Sequence, residues 1–227
     1  MEYNILFIGV NAYNETVNNK VIIALDGISE KEALRFAKLL KGHVWGFKVN
    51  DLLFERSGII NKLKKVGKVF ADAKLHDIPN TVSNSVKKLS SVGADLITVH
   101  ASGGIEMMHV AKRNAGKSKI IAVTVLTSNR GNVTNDVLGL AKDAIIAGVD
   151  GIVCSGHELP AISKIKGAEK LIKIVPGIRP IWYKRKDDQS RVMTPDQAIK
   201  LGADYLVLGR PILYAKDPVE ALKSLFK

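Results

Sequence analysis

Short apolar runs rich in β-branched residues alternate with longer amphipathic stretches along this 227-residue chain, and the alternation occurs eight times. The stretch after the first run places Ala33, Phe36 and Leu40 at the spacing of a buried helix face. Eight strand–helix units predict an α/β fold with a parallel sheet closed into a (β/α)8 TIM barrel. The predicted strands are Val21–Asp26, Val44–Asn50, Lys68–Lys74, Leu96–His100, Lys119–Leu126, Gly151–Ser155, Ile172–Gly177 and Tyr205–Gly209.

Helix starts and the first loop support this fold. Ser29-x-x-Glu32 and Thr194-Pro195-Asp196-Gln197 both have the pattern of a capping box at a helix N-terminus. An open doubly wound sheet is the alternative, but it usually carries a glycine-rich dinucleotide loop where this chain has Leu25-Asp26-Gly27. Residues 1–20 precede the repeat, so we predict an N-terminal extension followed by a single barrel domain of residues 21–227.

Composition excludes several classes of protein. A lone cysteine, Cys154, excludes disulfide stapling, and its apolar neighbours predict a core position. The apolar run at residues 5–10 is too short to span a bilayer, so a cytoplasmic protein with no membrane partner is expected. The net charge of +12 favours an anionic partner, either a phosphate-bearing small molecule or a nucleic acid. No basic patch is interleaved with aromatic residues, and we therefore expect no nucleic acid partner.

Charged residues fall where three of the predicted strands end. Asp26 ends the first strand, Lys48 lies near the end of the second, and Asp72 and Lys74 end the third. In such barrels the chemistry is carried out at the carboxyl ends of the strands. Asp72 and Lys74 are two residues apart and would share one face of a regular strand. Because a buried ion pair loses much of its hydration, these residues indicate function before stability.

The loops after the last two predicted strands have residues suited to an anion. They begin Pro176-Gly177-Ile178-Arg179 and Gly209-Arg210, combining glycine, which lets backbone N–H groups approach closely, with arginine, which adds charge-assisted hydrogen bonds. Barrels often bind phosphate at this position. The loop of residues 178–193 is long and basic, and we expect it to close over a ligand.

The pattern Asp72-x-Lys74-x-x-Asp77-Ile78-Pro79-x-Thr81 resembles the signature of the orotidine 5'-phosphate decarboxylase family, whose members convert orotidine 5'-phosphate to UMP. The resemblance extends from about residue 21 to the C-terminus. It implies a homodimeric enzyme of pyrimidine biosynthesis that uses no cofactor and no metal. The other matching segments are Leu25-Asp26, Phe47-Lys48-Val49, Val123–Ser128, Pro176–Pro180 and Leu208-Gly209-Arg210.

The resemblance also implies a role for each matching residue. Lys74 would stabilise and then protonate a carbanion at C6 of the pyrimidine, and Asp72 would hold Lys74 beside the substrate carboxylate. The family usually has a phosphate-bridging glutamine where this chain has Ile181, and Gln189 is a candidate replacement. The implied catalytic residues are Lys74, Asp72, Lys48 and Asp77. The implied substrate-binding residues are Asp26, Lys48, Ile78, Thr81, Thr127, Pro176, Gly177, Gly209 and Arg210, of which Ile78 and Thr81, with Asp77, would reach into a neighbouring subunit.

Two other functions remain open at this point. Hexulose-phosphate synthase and the related keto-gulonate-phosphate decarboxylase share the Asp-x-Lys-x-x-Asp pattern, but they hold Mg²⁺ partly by a glutamate where this chain has Lys48. A non-catalytic phosphate- or RNA-binding barrel would account for the positive charge. His76 and His100 also lie at strand ends, but without paired ligand spacing they are predicted to be structural.

Overall fold

The computed structural model describes residues 19–55, 58–129, 131, 133–184 and 191–226. Within these ranges, eight parallel strands pair in chain order, and the first also pairs with the last, so the sheet is a closed barrel. The barrel prediction is confirmed and the open sheet is excluded. The strands are β1 (Val21–Ala24), β2 (Gly46–Val49), β3 (Lys68–Leu75), β4 (Leu96–His100), β5 (Lys119–Val123), β6 (Gly151–Val153), β7 (Ile172–Val175) and β8 (Tyr205–Leu208).

Every predicted strand is present, and the differences lie mainly at the carboxyl ends. Six of the eight strands end one to three residues before the predicted boundary, as β5 does at Val123 rather than at Leu126. Polar residues and glycine, such as Asp26, Asn50 and Gly209, lie at these predicted ends, where the chain leaves the sheet for the loops at the mouth of the barrel. Of the residues expected to carry chemistry, Lys48, Asp72 and Lys74 lie within β2 and β3, and the others lie beyond the ends of the strands.

Helices follow the strands around the outside of the barrel. Both predicted capping boxes are present. In each, the side chain of the first residue accepts from the backbone N–H of the second, and the side chain of the second accepts from the backbone N–H of the first. The pairs are Ser29 with Glu32 and Thr194 with Gln197. The α-helices are α1 (Glu30–Leu39), α2 (Ile59–Lys64), α3 (Pro79–Ser91), α4 (Gly104–Arg113), α5 (Thr134–Ala147), α6 (Leu159–Ile162), α7 (Pro195–Lys200), α8 (Arg210–Leu213) and α9 (Pro218–Lys223). Short 3₁₀ turns lie at Asp51–Phe54, Ala101–Gly103, Gly156–Glu158 and Ala168–Lys170.

The strands bury side chains in two layers. An outer layer joins the sheet to the helices, and a smaller inner layer fills the interior of the barrel. Cys154 is a core residue as predicted, and burial raises the pKa of its thiol to about 12. Within the described residues, no helix combines the length and the apolar character needed to cross a membrane. The inner layer consists of Ile22, Ala24, Phe70, Leu96, Ile121, Ile174 and Val207.

Candidate active site

A cavity of about 450 Å³ opens at the carboxyl end of the barrel, directly above the inner layer. Ala24, Phe70 and Val207 belong both to that layer and to the cavity lining. Most of the site residues predicted from the sequence meet here, although their strands are far apart along the chain. They are Asp26, Lys48, Asp72, Lys74, Thr127, Pro176, Gly177, Gly209 and Arg210, joined by Arg179.

Four charged side chains of alternating sign form a connected array on one wall of the cavity. Lys48 Nζ lies 2.5 Å from Asp26 Oδ2 and 3.1 Å from Asp72 Oδ2. Lys74 Nζ lies 2.5 Å from the same Asp72 oxygen. Asp72 and Lys48 are almost fully buried, whereas Lys74 is one-third exposed and faces the cavity. The array therefore exposes Asp26 and Lys74 at its two ends and buries Lys48 and Asp72 between them.

Asp72 is held by two residues that sequence reasoning missed. The hydroxyl of the fully buried Thr98 donates to Asp72 Oδ1 at 3.0 Å and accepts from the Lys74 backbone N–H at 2.8 Å. The Asn50 amide donates to the Asp72 carbonyl at 2.7 Å. Thr98 is a polar residue within the apolar β4 strand, and Asn50 directly follows β2. A polar residue at either position is a sequence signal for a role in the site. Together they fix both the carboxylate and the backbone that carries Lys74.

A bulge in β3 brings Asp72 and Lys74 together. The pairing with β4 shifts between Ala71, opposite Ile97, and Leu75, opposite Val99, so β3 contains two more residues than its partner there. Lys74 has φ +45°, the left-handed region that residues other than glycine rarely adopt. The two side chains meet as predicted, but not because a regular strand alternates its faces. Backbone strain of this kind costs about 1–3 kcal/mol and is typical of functional sites.

The array sets the ionisation of its two buried members. Burial opposes the charge on Asp72, but Lys48 and Lys74 outweigh it and lower the pKa of the carboxyl. Burial likewise opposes the charge on Lys48, but Asp72 and Asp26 outweigh it and raise the pKa of the ammonium. Both groups consequently stay charged across the neutral range.

We expect the stability that Lys48 confers to be constant near neutral pH. A lowered carboxyl pKa stabilises the fold above the ordinary value of about 3.9, and the contribution is lost as pH falls through the folded-state pKa. A raised lysine pKa stabilises the fold below about 10.4, and the contribution is lost as pH rises through the folded-state pKa. The free energy of unfolding in urea should differ between wild type and Lys48→Met by a constant amount from about pH 5 to pH 9. The difference should be smaller at more acidic and at more alkaline pH. A change of more than about 1 kcal/mol inside that window would contradict this assignment.

The opposite wall of the cavity has the features of an anion site. Gly177 has φ +73°, a conformation that favours glycine, and it lines the cavity next to Arg179. The Arg179 guanidinium donates to the Ile178 carbonyl at 2.9 Å and lies 5.5 Å from the centre of the Tyr183 ring. Gly209 and Arg210 approach from β8 and complete this wall. Backbone N–H groups and two guanidinium groups thus lie across the cavity from the charged array.

Three predicted site residues do not line the cavity of this chain. Asp77, Ile78 and Thr81 are exposed, and Asp77 Oδ1 accepts from the Ile78 backbone N–H at 2.7 Å. Ile78 is 67% exposed, which is unusual for an isoleucine. Their assignment to a substrate site therefore depends on a second copy of the chain.

Some residues of the long basic loop after β7 line the cavity, as Arg179 does, and others contact the rest of the protein. Ile181 is exposed and does not line the cavity, and Arg191 forms an ion pair with Glu158 away from it. Gln189, the candidate replacement for the phosphate-bridging glutamine, lies outside the described residues, as do the basic residues Arg185 and Lys186 of this loop.

His76 and His100 lie near each other beside the array. Their ring centres are 5.6 Å apart, and burial, followed by His76 and Lys74, lowers the pKa of His100. Across the described ranges, no group of three or more His, Cys, Asp or Glu side chains is placed to hold a metal ion.

The model of the "Orotidine 5'-phosphate decarboxylase / HUMPS family" matches residues 19–225. The chain belongs to this family. A relative from Dichelobacter nodosus named orotidine 5'-phosphate decarboxylase is 42% identical over 225 residues, covering 92% of this chain and 97% of the relative. One from Psychromonas ingrahamii with the same name is 41% identical over 230 residues, covering 93% and 97%.

Solved structures of the family agree with the fold. The orotidine 5'-phosphate decarboxylase from Lactobacillus acidophilus is 34% identical, with a TM-score of 0.76 and coverage of 91% of this chain and 97% of that one. The one from Pyrococcus horikoshii is 27% identical, with a TM-score of 0.73 and coverage of 90% and 96%. The resemblance seen in the sequence motifs is therefore confirmed over nearly the whole described chain.

Proposed function

We propose that this chain decarboxylates orotidine 5'-phosphate to UMP, the last step of de novo pyrimidine nucleotide synthesis. The observation that carries the proposal is the array of Asp26, Lys48, Asp72 and Lys74 facing an anion-binding wall across one cavity. A substrate with a carboxylated ring at one end and a phosphate at the other matches the two walls. The names of the family's relatives point to the same reaction.

Lys74 is the residue that we assign to the chemistry at C6. When the bond between C6 and the carboxylate breaks, CO2 leaves and its bonding electron pair stays on C6 in the plane of the ring, where no adjacent π-system accepts it. A fixed positive charge next to C6 lowers the energy of that carbanion. The Lys74 ammonium supplies the charge and then transfers a proton to C6, which yields UMP. Its partial exposure toward the cavity is compatible with both tasks.

Asp72 and Lys48 support Lys74 from below. Asp72 holds the Lys74 ammonium at 2.5 Å, and in the substrate complex its charge would face the substrate carboxylate, a repulsion that the loss of CO2 relieves. Lys48 compensates that buried charge. With Asp26, it is assigned to the ribose hydroxyls. Thr127, on the loop after β5, is assigned to the edge of the pyrimidine.

The phosphate is assigned to the wall formed by the loops after β7 and β8. Gly177 and Gly209 let backbone N–H groups approach an anion, while Arg179 and Arg210 supply charge-assisted hydrogen bonds. Pro176 lines the same wall, at the point where β7 leaves the sheet.

A homodimer with shared sites belongs to this proposal. Asp77, Ile78 and Thr81 match the family signature but lie on the surface of the single chain. The exposed Ile78 side chain, directly after β3 at the mouth of the barrel, is suited to an interface between copies. In such a dimer each copy would add Asp77 to the charge array of the other.

The synthase alternative fits the site less well. That reaction requires Mg²⁺ near the end of β2, and Lys48 places an ammonium there, 2.5 Å from Asp26 and 3.1 Å from Asp72. A cation in this position repels a divalent metal and competes for the same carboxylates.

We expect purified protein to convert orotidine 5'-phosphate to equal amounts of UMP and CO2 in buffer that contains EDTA. Loss of the substrate's ultraviolet absorbance measures the rate. Activity that disappears on chelation and returns with Mg²⁺ would favour the synthase, and tight, salt-sensitive RNA binding without turnover would favour a binding barrel.

A further inference from the structure

We propose that Glu158 and Arg191 are positioning residues for the phosphate wall, although neither lines the cavity. Their ion pair fixes the segment 191–194, here called the returning stem, through which the loop after β7 comes back to the barrel. The inference rests on the proposed function, because it assigns a distant pair of residues to the binding of the substrate's phosphate.

The pair is buried in a place where stability alone does not account for it. Glu158 ends the 3₁₀ turn that follows β6 and is 2% exposed, and the Arg191 side chain is 16% exposed. Among the described residues, Glu158 Oε2 and Arg191 Nη1 have no hydrogen-bond partner. A buried pair with incomplete hydrogen bonding usually stabilises a protein less than apolar residues of the same size would. What the pair does provide is a single position for the returning stem relative to β6.

A second contact on the same turn holds the stem two residues further along. The Met193 side chain packs against Gly156, so closely that a Cβ atom on Gly156 would lie 2.6 Å from the Met193 sulfur. A side chain at residue 156 would therefore displace the Met193 side chain from its present position. The turn after β6 thus holds the stem by an ion pair at one residue and by close packing at another.

The backbone of Met193 connects this anchor to the cavity. Its N–H donates to the Gly177 carbonyl at 3.2 Å, and its carbonyl accepts from the Arg179 N–H at 2.9 Å. Ile178, between them, forms an isolated parallel bridge with Met193. Gly177 and Arg179 both line the cavity on its phosphate wall. A short chain of contacts therefore runs from Glu158 through Arg191 and Met193 to the two residues expected to meet the phosphate.

Glu158→Gln tests the inference, because it removes the charge of the pair but keeps the size of the side chain. We expect kcat/KM for orotidine 5'-phosphate to fall about tenfold or more, mainly through KM, since displacing a binding wall weakens what it holds. UMP affinity should fall to a similar extent, whereas uridine, which has no phosphate, should bind within about twofold of wild type. Arg191→Met should give the same pattern, and the double variant should be no worse than either single one.

Lys112→Met is the matched control. It breaks an ion pair between Lys112 and Asp150, which lies at the other end of β6, and thus has no connection to the returning stem. We expect it to lower the melting temperature while leaving KM and the preference for UMP over uridine unchanged. A purely structural Glu158 would behave in the same way, so that result for Glu158→Gln would overturn the inference.

Amide hydrogen exchange gives a second readout that does not depend on turnover. In Glu158→Gln the Met193 and Arg179 amides should exchange at least about tenfold faster, while the amides of β7 itself stay protected. Unchanged exchange at these two positions would also overturn the inference. Failure of the proposed function can be distinguished from failure of this inference. In the first case wild type would not consume orotidine 5'-phosphate, whatever exchange rates the amides show.

Discussion

Lys74→Ala is expected to lower kcat for orotidine 5'-phosphate by at least about 10⁴-fold, because it removes both the charge that stabilises the carbanion and the proton that C6 receives. UMP should still bind within about tenfold of wild type, since the residues that we assign to ribose and phosphate lie elsewhere in the cavity. Steady-state kinetics and calorimetric titration with UMP measure the two effects separately.

The matched control for this variant is Lys112→Ala. Lys112 is a similarly exposed lysine that also lies 2.5 Å from an aspartate, but it is on the outer helices and not in the cavity. Its kcat should equal that of wild type. If Lys74→Ala retained a tenth of the wild-type kcat, the assignment of the proton donor to Lys74 would be wrong.

Asp72→Asn is expected to lower kcat at least about 10³-fold, and also to destabilise the fold by about 3 kcal/mol. One Asp72 oxygen lies within 3.1 Å of both the Lys48 and the Lys74 ammonium, so a neutral amide leaves two cations close together without the anion between them. The Thr98 hydroxyl bond can survive the change, which makes misfolding of β3 an insufficient explanation. Kinetics together with urea unfolding at pH 7 would measure both losses.

Asp150→Asn serves as the control here. Like Asp72, Asp150 is a carboxylate that accepts from a lysine, but its second donor is a backbone N–H, it is only partly buried, and it lies at the opposite end of the barrel. The Asp150→Asn variant should be less stable than wild type but should have the same kcat. If Asp72→Asn showed that same pattern, Asp72 would be a structural residue and not part of the catalytic array.

The sequence predicts the fold and most of the residues that line the candidate site because both depend on local patterns. Eight apolar runs and two capping boxes can be recognised from a few consecutive residues each. In a barrel, the residues at the carboxyl ends of the strands then lie together at one mouth. Asp26, Lys48, Asp72 and Lys74 could be assigned to one site on this basis before any distance was known.

The remaining features depend on contacts between distant residues or on unusual backbone geometry. The left-handed conformation of Lys74 contradicts the ordinary preference of its residue type, so no propensity predicts the bulge. Thr98 belongs to no motif, and its role appears only once β4 lies beside β3. Glu158 and Arg191 come from the separate loops after β6 and β7, and their contact appears only once these two strands lie side by side. Asp77 is different again, because its predicted role requires a second chain.

The apolar inner layer of the barrel determines how ligands travel. Side chains such as Ile22, Phe70 and Ile174 fill the interior below the cavity, so in the part of the chain that the structure describes the cavity is closed at its base. Substrate, CO2 and UMP must then use the same opening. CO2 is much smaller than UMP, and we expect it to escape beside a bound nucleotide that fills the opening. We therefore expect an ordered release of products, with the gas leaving first and the nucleotide leaving before the next substrate can enter.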